Sequence, residues 1–342
     1  MTGLEFAVPE ELLPGPANSI TDVPGVHVGH FTHDRVYRGT TALIFPEGGI
    51  AGVEVRGSNP GTFNTDALAS TTIGGLVHAI GLSGGSLFGL GAIAGITEWL
   101  LEEKIGLSRR SAIIPIVSGA VIYDLDFTDP YTHPTTAWGH AAASNAQEAG
   151  FSRGNVGAGT GGTAGKGPGC VRTKGGLGTA SLLLPGNITV GALVVINSLG
   201  GLIHPLTGEL YATHGGFDQP LLYQPLDEAT EESSSIANTT LGVVATDAAL
   251  SKPQLIKIAE LVHDGLARAI RPSHAMRDGD TVFTVSTGNR TVQGTTEFNL
   301  TDMVGHAAAD AIVLAILDAV AMTASLGGWP SARDAVTNVN RS

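Results

Sequence analysis

The sequence predicts a layered α/β sandwich. Short β-type runs recur along the chain, and apolar helical patterns lie between them. Gly 48 in 342 residues is about twice the usual share, which suits tight turns and close backbone approaches. The β-type runs are "TALIF" (41–45), "SAIIPIV" (111–117), "ITVGALVVI" (188–196), "TTLGVVAT" (239–246) and "TVFTVST" (281–287). A first helix is expected over 135–150, "TTAWGHAAASNAQEAG", stopped by Gly150. A second is expected over 253–268, where Leu255, Ile258, Ala259, Val262 and Leu266 share one face and Pro253 stands near the start. A third, mostly buried, is expected over 302–324 after a Thr301 cap. No internal repeat divides the chain, so 1–342 reads as one large α/β unit.

A formal charge of −13 argues against a nucleic-acid partner, which calls for a basic face. The single cysteine, Cys170, excludes an internal disulfide or a multi-cysteine metal site. The start "MTGLEFAVPEELLPGP" lacks a basic segment followed by an apolar core, so no secretory leader is read there. Residues 67–97 carry no Asp, Glu, Lys or Arg, but their glycines and His78 suit strand, turn and buried helix better than a membrane span. Asp310 and Asp318 likewise interrupt the last apolar helix. The expectation is a soluble, cytoplasmic protein with no membrane partner.

The informative junction is "ESSSIANTTLGVVATDAAL" (232–250). An acidic, Ser-rich linker, 225–237, has little to bury and is expected to be exposed and mobile. It runs straight into an apolar strand at Thr239, dividing the chain into 1–238 and 239–342. A threonine hydroxyl is a weak nucleophile until a base takes its proton. If Thr239 became an N-terminus, its α-amine, with an ordinary pKa of about 7.7–8.0, could be that base, directly or through one water. The same hydroxyl could first attack the Asn238 carbonyl, giving an ester by N-to-O acyl shift that water hydrolyses. "NTT" alone also matches a glycosylation acceptor, as do Asn187, Asn289 and Asn299; with no leader read, all four are taken as chance.

"ANTTLGVVATDAALSKPQL" with "RDGDTVFTVST" resembles the P1 (DmpA-like, family S58) peptidases, in particular their threonine-nucleophile branch of nylon-oligomer hydrolases. "NSITDVPGVHVGH" (18–30), "GLSGGSLFGL" (81–90), "VSGAVIYDLDF" (117–127), "GAGTGGTAGK" (157–166) and "VVINSLG" (194–200) resemble further blocks of that family in the same order. The resemblance implies an N-terminal-nucleophile-like α/β sandwich that cuts itself at Asn238–Thr239 into an α chain, 1–238, and a β chain, 239–342. It implies assembly into tetramers or larger rings, no cofactor, and no metal. It makes Thr239 the nucleophile and gives Asp278 and Asp280 as the acidic pair orienting the new amine. It places Lys166, Asn197 and Tyr123 around the same site. Asn197 would donate to the oxyanion, Lys166 would stabilise negative charge or shift the amine, and the Tyr123 hydroxyl would bind the acyl or amide group.

The implied activity is hydrolysis of linear amides such as 6-aminohexanoate oligomers through an acyl-Thr239 intermediate. The alternatives are an aminopeptidase or amidase for short peptides, D-amino or β-amino acid amides, an acetyl transferase of similar architecture, and an uncleaved ring-forming protein that only binds peptides. The aminopeptidase branch commonly has Ser as nucleophile and a serine-containing motif where "DGD" stands here, which favours the nylon-type reading.

Read without the resemblance, "DGD" (278–280) is a turn before a strand. Asn197 and Tyr123 could satisfy buried backbone groups, and Lys166 could be an exposed loop lysine. "GAGTGG" (157–162) fits G-x-G-x-x-G, but no helix can open in "TAGKGPG" and no acid follows about 20 residues later, so a nucleotide site is rejected. In "HVGHFTH" (27–33), strand alternation turns His30 away from His27 and His33, which argues against a metal site.

Overall fold

Strands buried on both faces read as unbroken apolar runs, and two such runs lie at the centre of the molecule. The computed structural model describes residues 13–126, 128–167, 172–203, 205, 210–211, 238–292 and 295–339. Cys170 and the linker 225–237 lie outside these residues. Among the described residues the largest sheet has ten strands: β1 (Leu13–Pro14), β2 (His27–Thr32), β3 (Gly39–Val55), β4 (Thr62–Phe63), β5 (Leu76–Ser83), β6 (Val117–Val121), β7 (Gly176–Leu184), β8 (Ile188–Asn197), β9 (Thr239–Ala248) and β10 (Thr281–Arg290). Their spatial order is β1-β7-β8-β9-β10-β3-β5-β6-β4, with β2 paired to β3. β9 lies antiparallel to β8, Asn197 opposite Thr239, and parallel to β10, Leu241 opposite Thr281. Every residue of β8 and β9 is buried.

Alternate residues of these strands serve two cores. Val190, Ala192, Val194 and Ile196 of β8 face helices α3 (Lys252–Ala269) and α4 (Glu297–Met322), together with Ile258, Val262, Ile312 and Ile316. Leu193 and Val195 join a second core with Leu241, Val243 and Phe283, shared with Leu43, Ile80 and Leu82 of β3 and β5. The opposite face of β3 and β5 packs Ala42, Ile44 and Ala79 on α1 (Leu90–Glu102) and α2 (Thr136–Ser144). The layers therefore run helices, strands, strands, helices, as the sandwich prediction requires. α1 and α2 touch through glycine: a Cβ on Gly139 would lie 1.7 Å from the Ala92 carbonyl oxygen.

Local readings shift where tertiary pairing overrides pattern. The run 111–117 is not one strand. Ala112–Ile114 pairs with Leu107–Arg109 in a small hairpin and β6 begins at Val117, because Pro115 has no N–H for a ladder. The run 41–45 extends into the 17-residue β3, whose register shifts between Ile44 and Gly49. The helix expected over 135–150 ends at Ser144, since Gln147 is drawn into a two-way backbone bridge with Val28. The last long helix starts a turn early: Thr296 is its cap, accepting from the Asn299 N–H, whereas Thr301 is inside and donates to the Glu297 carbonyl. α3 has the expected face and adds a Ser251/Gln254 capping box. By length and composition α4 could cross a membrane, but 61% of its most apolar window is buried in the molecule, which makes it a core helix.

Candidate active site

Three neighbouring strands bring the chemistry to one end of the sheet. β8 ends at Asn197, β9 starts opposite it at Thr239, and β10 starts just after Asp280. The Asn238–Thr239 bond is buried, with Asn238 1% and Thr239 4% exposed. Its carbonyl oxygen, on Asn238, accepts the Gly279 N–H at 2.8 Å and also the Thr239 hydroxyl. The Asn238 N–H donates to the Arg277 carbonyl at 3.1 Å, so backbone pairing holds residues 277–279 alongside the bond. The Gly279 N–H polarises this carbonyl, and the Thr239 hydroxyl lies beside it.

The two aspartates have different surroundings. Both carboxylate oxygens of Asp280 are engaged: Oδ1 accepts the Thr240 N–H at 2.6 Å, and Oδ2 accepts the His274 N–H at 3.1 Å and pairs with His274 Nδ1 at 2.7 Å. Asp278 Oδ2 accepts the Ala275 N–H at 2.7 Å, while its Oδ1 is buried with no hydrogen-bond partner among the described residues. Burial first, and the nearby Asp280 charge second, push the Asp278 carboxyl up to about 6. The turn is clamped from behind, where Asn59 N–H donates to the Asp278 carbonyl and Arg56 N–H to the Asp280 carbonyl.

The sign of this shift gives a prediction. A carboxyl raised from 3.8 to about 6 on folding binds its proton more tightly in the native state. It therefore weakens the fold as pH rises through that window, and the cost is fully present above it. Asp278→Asn keeps an acceptor for Ala275 and removes the charge. In chains kept whole by Thr239→Ala, thermal denaturation at neutral pH is expected to show the Asp278→Asn form more stable than the form with Asp278, by up to about 2–3 kcal/mol. The gap should close below about pH 4; a variant less stable at neutral pH would contradict the assignment.

On the other side of Thr239, Lys166 Nζ donates to the Asn197 side-chain oxygen at 2.7 Å and to its carbonyl at 2.9 Å. Burial, then the charge of Arg172, pull the Lys166 ammonium well below its ordinary value. Asn197 is largely committed: Oδ1 also accepts the Thr163 N–H, and Nδ2 donates to the Tyr123 carbonyl at 2.8 Å, leaving one amide N–H. Tyr123 touches this set through its main chain. Its hydroxyl donates instead to Asp126 at 2.9 Å, so it can meet a substrate only as an acceptor. The loop after β6 that carries Tyr123 is tied down by the fully buried Arg38, which pairs with Asp124 at 3.3 Å and donates to the Leu125, Asp129 and Thr132 carbonyls.

All seven residues expected at the site are thus brought together around the start of β9. Sequence reading missed His274, the Gly279 N–H and the Arg38–Asp124 anchor. "SHAMRDGD" holds the only sequence signal, a histidine shortly before the acids. The Gly-rich loop 157–162 is a 3-10 turn passing into Thr163–Ala164, and a Cβ on Gly162 would lie 2.2 Å from the Ile196 carbonyl oxygen. Its glycines allow backbone to approach the strand that carries Asn197. Of the histidines at 27, 30 and 33, His30 bonds Thr41 and the Ser152 carbonyl, His27 lies 3.3 Å from Glu148, and His33, just past the strand, stacks on Trp138.

The fold is that of the N-terminal-nucleophile hydrolases. The L-aminopeptidase D-Ala-esterase/amidase of Ochrobactrum anthropi, described as a variant of that fold, superposes with a TM-score of 0.71 over 96% of this chain and 95% of its own, at 24% identity. In sequence, an uncharacterized aminopeptidase of Mycobacterium leprae is 38% identical over 94% of each chain. A 6-aminohexanoate-oligomer endohydrolase of Paenarthrobacter ureafaciens is 32% identical over 78% of this chain and 74% of its own. Peptidase family S58 matches residues 18–332, a span that takes in both sides of the Asn238–Thr239 bond. This protein is a hydrolase of amide bonds that belongs to peptidase family S58.

Proposed function

We propose that the protein cuts its own Asn238–Thr239 bond and then hydrolyses linear amides through an acyl-Thr239 intermediate. The observation that carries this reading is the Asn238 carbonyl held between the Gly279 N–H and the Thr239 hydroxyl. In the first reaction the Thr239 oxygen adds to the Asn238 carbonyl carbon as Asp278, the carboxylate with a free oxygen, takes the hydroxyl proton. Negative charge develops on the Asn238 oxygen against the Gly279 N–H. The C–N bond breaks as the Thr239 nitrogen takes the proton held by Asp278, and water hydrolyses the ester to a free Asn238 carboxylate and a restored hydroxyl.

The new α-amine then serves as base for the same hydroxyl, with Asp278 Oδ1 available to orient it. A substrate carbonyl occupying the place left by Asn238 meets the Gly279 N–H and the remaining Asn197 amide N–H. β9 and β10 lie between β8 and β3, so strands from 239–342 are inserted among strands from 1–238 and the fragments stay joined. A cytoplasmic setting and assembly into tetramers or larger belong to the same reading, with exposed Leu87, Phe88 and Tyr131 as apolar surface for contact.

For substrate, 6-aminohexanoate oligomers are supported by the endohydrolase relative and by the threonine nucleophile with its two aspartates. A second reading, an aminopeptidase for short peptides, D-amino or β-amino acid amides, is supported by the more similar mycobacterial relative. Hydrolysis of 6-aminohexanoate trimer beside aminoacyl anilides, each with a free and an acetylated amine, separates them. The first reading expects turnover of the trimer and tolerance of acetylation. Strict need for a free amine, with anilides preferred, would replace it with the second.

A further inference from the structure

His274 stands apart from the other enclosed histidines. Burial lowers His30, His78 and His263, the first and last to about 4, which makes them neutral components of the packing. Burial also acts to lower His274, but its hydrogen bond to Asp280 and the charge of Asp280 outweigh this and leave it above 6.5. Its backbone is unusual as well. A φ of +60° is a left-handed conformation that non-glycine residues adopt sparingly. That conformation lets the main-chain N–H and the ring Nδ1 of one residue reach the same Asp280 oxygen, at 3.1 and 2.7 Å. The His263 ring packs edge-on against it at 4.8 Å and is itself bonded to the Glu54 carbonyl.

We propose that His274 is a positioning residue: as an imidazolium bonded to Asp280, it neutralises that carboxylate and keeps Asp278 able to ionise beside Thr239. Two carboxylates two residues apart at a buried turn oppose each other's ionisation. Asp280 raises Asp278, and the positive charges of Lys166 and His274 lower it. The charged and titratable groups facing this cluster are Asp278 and Asp280 on its own loop, His263 on α3, Arg56 beside β3, and Lys166 across the site. Among these, His274 alone bonds Asp280 directly through its side chain. Asp280 then accepts from Thr240 and holds the start of β9, while Asp278 does the proton transfer.

This inference rests on Thr239 being the nucleophile, and its test separates the two ideas. Precursor is made by cell-free synthesis, and self-cleavage is timed from about pH 4.5 to about pH 8.5. His274→Asn is the variant of choice, because asparagine tolerates left-handed backbone and its amide can still donate to Asp280 without a charge. Its rate is expected to fall away at higher pH than the native rate, the acid limb moving up by about half to one unit, with the plateau less affected. A native precursor that never cuts overturns the nucleophile reading, and this inference with it. A native precursor that cuts, beside a His274→Asn variant with the same acid limb, overturns the role of His274 alone. Histidine NMR titration of the native protein gives a second measure if the variant does not fold. A His274 resonance titrating above 6.5 agrees with the imidazolium; one titrating below it overturns the proposal.

Discussion

Thr239→Ala is expected to remain a single chain and to hydrolyse no amide substrate above background, a loss of at least about 10³-fold. The variant removes the Thr239 hydroxyl that bonds the Asn238 carbonyl but leaves the Gly279 N–H and the β8–β9–β10 pairing in place. It therefore loses the nucleophile without losing the fold, and a small side chain at a buried strand start costs only about 1–2 kcal/mol. Thr239→Ser retains the hydroxyl and is expected to cut itself and to turn over substrate. Denaturing gels and initial rates on the three proteins check this directly. Full activity in the alanine variant would move the nucleophile elsewhere.

Gly279→Ala is expected to slow self-cleavage by about 10²–10³-fold, the usual loss when one oxyanion donor is displaced. Gly279 does not occupy the left-handed region, so backbone preference is not what demands glycine there. Space does. An added Cβ would lie 2.8 Å from the Thr239 hydroxyl oxygen, 2.9 Å from the Asn59 carbonyl oxygen and 3.2 Å from the Pro60 Cα. Asn59 cannot give way freely, because its N–H is bonded to the Asp278 carbonyl at 2.9 Å. The methyl thus pushes the Gly279 N–H off the Asn238 oxygen and rotates the hydroxyl away. A folded variant that cuts itself at the native rate would remove Gly279 from the mechanism.

Much of this site was legible in the chain, because its parts lie where a pattern changes. Thr239 follows an acidic linker and opens an apolar strand, and "DGD" precedes another, so two strand starts flag the proposed nucleophile and the proposed acids. The layered fold follows from apolar runs that must be buried on both faces. The unread features depend on pairing between distant segments. Local periodicity cannot place β9 and β10 between β8 and β3, and it cannot tell that Gln147 will bridge to Val28 and end α2 early. Thr301 was the expected cap, whereas the hydroxyl that caps the helix is on Thr296. The Gly279 donor is a main-chain N–H, which every non-proline residue possesses and no sequence pattern marks. His274 is six residues from the aspartate it binds, and its left-handed backbone is visible only once the turn is built.

The roles within the acidic pair are also sharper than the motif implies. Asp280 has both oxygens occupied and holds backbone and His274, whereas Asp278 has one oxygen without a partner among the described residues and its carboxyl raised to about 6, which suits it to exchange a proton near neutrality. Divergent surroundings around two neighbouring acids are a common way of assigning one to charge and the other to proton transfer.

Self-cleavage is the central claim, and intact-mass measurement of the purified native protein under denaturing conditions tests it most directly. The expected result is two species, one ending at Asn238 and one starting at Thr239, which run together until the fold is denatured. A single species with the mass of all 342 residues, persisting after long incubation at neutral pH, would contradict it.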